Sequence, residues 1–143
     1  MNGKELILDC ALGLVFGIIV GGVLFLISLP IKFPTDTLAI IIISTILFCL
    51  TEEVSKFVPL KLNLFKTNHI WIGLFVGFGF AMLENFTYLY NRNAVLHNRI
   101  PSTILHIITG MIMGYFVSKK KSWIGLLLAI ILHCAFNFYL TFS

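Results

Sequence analysis

Five apolar runs, each near the length needed to cross a bilayer, follow one another along the 143-residue sequence and leave little choice of architecture. They cover about residues 6–29, 37–58, 69–90, 101–117 and 123–142. About 20 helical residues cross about 30 Å of hydrocarbon. Strands with open edges would strand their backbone groups in lipid, so helices are expected. The fold class expected is all-α: a polytopic integral membrane bundle of about five transmembrane helices, forming a single domain over residues 1–143 and placed in a cell membrane. Composition agrees. Only 11% of residues are charged, against about 25% in soluble domains.

Prolines punctuate the runs. Pro30 and Pro34 mark a turn after the first, Pro59 is expected to stop the second, and Pro101 suits the first turn of the fourth. The first run is too long for a signal-peptide core and is expected to remain as a span. With five spans, Lys4, Lys56, Lys61, Lys66, Lys119, Lys120 and Lys121 share one side, while Lys32, Arg92 and Arg99 share the other. Seven against three puts the N-terminus in the cytoplasm and the C-terminus outside. The net charge of +4 therefore reports topology; no basic face interleaved with aromatics exists, and nucleic acid is not an expected partner. Gly13, Gly17 and Gly21, then Gly73 with Gly77 and Gly110 with Gly114, recur at four-residue spacing. Such rows let helix backbones approach closely, either inside the monomer, the preferred reading, or in a homo-oligomer. Cys10, Cys49 and Cys134 lack metal or redox spacing and read as small buried hydrophobes.

Four polar clusters interrupt this apolar background: Glu52-Glu53 with Lys56, Phe80 with Glu84-Asn85, His106 with Thr109, and His133 with Asn137. One charged group at the centre of a lipid-facing helix costs about 3 kcal/mol. Four clusters from four segments imply a polar pocket inside the bundle. Glu52 and Glu53 suit a pair in which one carboxylate activates a water and the other group orients it; they also suit an interfacial salt bridge with Lys56 at a helix end. Glu84 follows mostly apolar helix and calls for a cation, a metal or a proton; a purely structural buried Glu is the alternative. Asn85 can bond a neighbouring helix. A lone buried His is usually a satisfied core residue, but two on different helices beside a Glu form a set. His133 and Asn137 lie one turn apart and could present donors to an oxyanion. Glu84, His106 and His133 could also hold zinc. Straight rods centred in the bilayer put the Glu pair roughly 6–9 Å towards the cytoplasm. The same rods put the other groups between mid-membrane and roughly 8 Å towards the outside.

In this order the clusters resemble the PrsW family of intramembrane proteases. They are more distantly similar to the CAAX-processing and bacteriocin-processing (ABI) proteases and to the Aph-1 subunit of γ-secretase. The pattern Glu-Glu-x-x-Lys, Phe-x-x-x-Glu-Asn, His with a nearby Thr, and His-x-x-x-Asn matches from Glu52 to Asn137. The resemblance implies peptide-bond hydrolysis in or beside the membrane, with the paired Glu activating water. It further implies a site-1 cut in a single-span, anti-sigma-factor-like substrate. Glu52 or Glu53 would then be the general base, with Glu84, His106 and His133 positioning or polarising, directly or through a divalent metal such as zinc. Asn137 would assist the oxyanion and Lys56 would tune the Glu pair. On this reading Glu53→Ala abolishes cleavage and leaves a folded protein. Two alternatives stay open: a non-catalytic scaffold like Aph-1, and a proton or ion carrier.

Overall fold

The computed structural model describes residues 3–28, 37–62, 65, 69–92 and 99–142. They form five helices: α1 (Gly3–Ser28), α2 (Leu38–Lys61), α3 (His69–Arg92), α4 (Ile100–Ser118) and α5 (Ser122–Phe142). No strand occurs among the described residues. All five helices are long and apolar enough to cross a membrane. The turn expected at Pro30 and Pro34 lies outside the described residues. Pro101 sits in the first turn of α4, as its sequence position suggests. Pro59 does not stop α2, which continues to Lys61. So near the helix end, the ring forfeits a single helical hydrogen bond, and the chain continues.

Helices consecutive in sequence alternate in direction. Along α1, Gly13 faces Ile72 and Gly17 faces Val76 of α3, so these two run parallel. Gly114 faces His69, Gly110 faces Gly73, and Gly77 faces the backbone of His106, so α3 and α4 run antiparallel. Lys61 Nζ donates to Ser122 Oγ at 3.2 Å, and Phe57 meets the Trp123 ring. Further along, Cys49 meets Asn137. Thus α2 and α5 are antiparallel and aligned from the end where α2 stops and α5 starts.

Glycine is what allows α3 and α4 to touch at the backbone. A Cβ at Gly77 would lie 2.1 Å from the His106 carbonyl oxygen, and one at Gly73 the same distance from that of Gly110. Close backbone approach of this kind replaces the hydrophobic drive that lipid removes. The glycine faces are therefore filled by the chain's own helices, and a homo-oligomer built through them is not supported. Phe57, Leu60, Ile72, Val76, Met113 and Leu126 fill the bundle at the end where α2 stops. The polar clusters lie directly above this apolar plug.

Candidate functional site

Lys56 is a charged side chain with no exposed surface. An ammonium has three donors, and all three are used. Nζ donates to Glu53 Oε1 on its own helix at 2.5 Å. It also donates to His106 Nδ1 at 2.9 Å and Thr109 Oγ1 at 3.3 Å, both on α4. The ring of Phe80 lies 5.0 Å away, offering its face to the cation. Glu53 is equally buried, and its Oε1 also accepts from His133 Nδ1 on α5 at 2.7 Å. An interfacial salt bridge at a helix end is therefore not what this segment forms; it makes the hub that joins α2, α4 and α5.

The hub assigns the proton of each ring. Lysine can only donate, so His106 Nδ1 is an acceptor and its Nε2 carries the proton. Nε2 lies 2.9 Å from Glu84 Oε2 on α3, which accepts it. His133 donates from Nδ1 to Glu53, which in the neutral ring leaves Nε2 as its acceptor nitrogen. That nitrogen faces Glu52 Oε2 at 3.6 Å. Each histidine is thus oriented by a carboxylate on one nitrogen and presents the other inward, as ligating histidines do.

Glu52 Oε2 and Glu53 Oε2 are buried without a hydrogen-bond partner among the described residues, a state that buried carboxylate oxygens rarely keep. Two facing acceptors, Glu52 Oε2 and His133 Nε2, call for a shared proton or cation. Glu52, His106 and His133 each offer a ligand atom within 4.8 Å of the others, and two imidazoles with one carboxylate suit zinc. The donors present therefore fit a divalent metal. The set differs from the one read from sequence. Glu52 replaces Glu84, because Glu84 is already engaged by cations and donors on its own side.

Glu84 Oε2 accepts from Arg99 Nη2 at 2.7 Å, from His106, and from Ser102 Oγ at 3.2 Å. Arg99 Nε donates to Asn85 Oδ1 at 3.2 Å. Asn85 Nδ2 donates to Thr103 Oγ1 at 2.8 Å, the interhelix bond expected of it. Asn137, one turn beyond His133, donates to Cys49 Sγ at 3.3 Å and not to the carboxylates. Arg99 and Ser102 were not read from sequence as site residues. The available signal was Ser102, four residues before His106 on the same helix face.

Glu52, Glu53, Lys56, Glu84, His106, Thr109 and His133 thus come together, and the depth offset expected from straight rods does not hold. The rods were centred individually, whereas α2 and α5 are aligned from Lys61 and Ser122. About two turns up α2 and three up α5 then bring Glu53 level with His133.

Comparison with known proteins gives one family. The family described as PrsW family intramembrane metalloprotease matches residues 6–143. A protein named Protease PrsW from Shouchella clausii (strain KSM-K16) is 30% identical over 83 residues, covering 50% of this chain and 39% of that protein. One of the same name from Clostridioides difficile (strain 630) is 29% identical over 125 residues, covering 71% and 52%. The chain spans about half the length of these curated relatives or less. No solved structure matches it.

Proposed function

Since the chain belongs to the PrsW family of intramembrane metalloproteases, we propose that it is an endopeptidase. It would hydrolyse a peptide bond in or beside the membrane span of a membrane-protein substrate. The observation that carries this reading is the convergence of Glu52, His106 and His133 from three helices, with ligand atoms within 4.8 Å of one another. The substrate class proposed is a single-span, anti-sigma-factor-like protein, as the family resemblance implies.

Glu52 is the carboxylate that meets the attacking water. Its side chain is 21% exposed, and no lysine or arginine pairs with it among the described residues, whereas Glu53 is closed in by Lys56 and His133. Glu52 takes a proton from water at one carboxylate oxygen as the water oxygen bonds to the scissile carbonyl carbon. The C–N bond then breaks, and the departing amine nitrogen receives that proton from Glu52. Glu53 does not exchange protons; it fixes the His133 ring and anchors Lys56. Glu84 does the same for His106. Asn137, on the same helix face as His133, would assist the oxyanion once its amide turns from Cys49. A divalent metal would be held by Glu52, His106 and His133, with Lys56 yielding His106 Nδ1, and would polarise the scissile carbonyl as a Lewis acid. The apolar plug beneath the site keeps bulk water from the end where α2 stops.

The test compares membrane-protein fragments in cells expressing wild type, Glu52→Gln or Glu53→Gln at equal levels. Fragments seen with wild type and lost with Glu52→Gln, in a protein that still inserts, are the expected result. Identical patterns in wild type and Glu52→Gln would sink the protease reading. The scaffold reading would then stand.

A further inference from the structure

Arg99 belongs to none of the four clusters, yet it grips two of their residues at once. It lies at the mouth of α4, immediately before Ile100. Nη2 reaches Glu84 Oε2 at 2.7 Å and Ser102 Oγ at 3.2 Å, while Nε reaches Asn85 Oδ1 at 3.2 Å. Its guanidinium carbon sits 3.9 Å from the centre of the Tyr88 ring. A planar fork that cannot lose its proton, laid on an aromatic face and bonded to adjacent side chains of α3, has little freedom to turn. Its effect is felt one residue further on. Glu84 Oε2 is the oxygen that His106 Nε2 uses, at 2.9 Å.

We propose that Arg99 is a positioning residue for His106. By clamping Glu84 and Asn85 it holds Glu84 Oε2 as the acceptor of the Nε2 proton, so the ring keeps Nδ1 as the lone-pair nitrogen turned towards Lys56 and the site. Three donors converge on Glu84 Oε2, from Arg99, Ser102 and His106. Arg99 is the only one of them carrying a permanent charge. Without it the carboxylate can rotate about its own side chain, and of the two contacts that select the His106 tautomer only the one from Lys56 is left. The inference rests on His106 being a site residue, but it does not require that any substrate be cut.

The test reads the ring itself. Purified protein with 15N-labelled histidine, in lipid nanodiscs, is examined by NMR, with His106 assigned by the signal that disappears in His106→Gln. Wild type is expected to show His106 protonated at Nε2 and bare at Nδ1. Arg99→Gln, in which Lys56 remains to favour the same tautomer, should lower its share and reveal the other form while His133 keeps its own pattern, and Arg99→Lys should restore it in part. Titration with zinc alone should show affinity falling roughly 10- to 100-fold in Arg99→Gln, the usual effect of removing a group that orients a ligand. Unchanged His106 signals in a folded Arg99→Gln protein would overturn the proposal. So would failure of both Arg99 variants to fold, which would make the residue a structural latch and nothing more. An Arg99-dependent tautomer in a protein that cuts nothing would keep this inference and remove the protease reading.

Discussion

Lys56 carries its charge where a lipid-facing helix tolerates none, and Glu53 is its sole charged hydrogen-bond partner among the described residues. Removing one member of such a pair costs about 3–5 kcal/mol, because the other is left buried and unpaired, whereas replacing both is often near neutral. Glu53→Gln is therefore expected to lower stability by about that amount, and Glu53→Gln with Lys56→Met to recover much of it. Thermal unfolding in detergent measures both; equal losses in the single and double variants would show that the pair is not coupled. This changes the expectation drawn from sequence, in which truncating Glu53 left the fold intact. The polar residues themselves were legible, since an ionisable group inside an apolar run announces itself. Their partners were not. Nothing in the spacing says that Glu52 and not Glu84 faces the two histidines, and an Arg at a helix mouth reads as a topology marker until its side chain is seen folded back onto Glu84.

At the scale of helices, the site depends on how closely α3 and α4 approach. The backbone of His106 lies against Gly77, so whatever separates these helices displaces the ring. Gly77→Ala places a methyl 2.1 Å from a backbone carbonyl, and overpacking of that kind costs about 1–3 kcal/mol. It should lower both stability and cleavage. Gly21→Ala should do neither strongly, since the nearest atoms to its methyl belong to the side chains of Leu83 and Phe80, at 3.3 and 3.5 Å, and not to backbone. Unfolding and fragment assays on the two variants check the contrast, and equal behaviour would refute it. The five helices and the glycine rows were legible because length, apolarity and four-residue spacing are local properties. The alignment of α2 against α5 was not. It depends on end contacts such as Lys61 with Ser122, between residues 61 positions apart.

Over the whole molecule, the site alters how its own topology is read. The seven-to-three bias treats Lys56 and Arg99 as loop charges, but both are held inside the polar network. Setting them aside leaves six basic residues against two, with the bias in the same direction. We therefore expect the N-terminus and the turn between α4 and α5 on the cytoplasmic side. A single cysteine at Lys119, in a background lacking the native three, should react with a membrane-impermeant reagent only after cells are opened. Labelling of intact cells would reverse the orientation. The hydrogen-bonded line from Arg99 through Glu84, His106, Lys56 and Glu53 to His133 also bears on biogenesis. Its members arrive on different helices, and each charged group alone in lipid costs about 2.5–3.5 kcal/mol. Helix α2 enters the bilayer before the helices bearing its partners have been synthesised, so it stays poorly settled until α4 and α5 join it. Until α5 has inserted, Glu53 lacks the His133 ring, and the polar network stays open on that side.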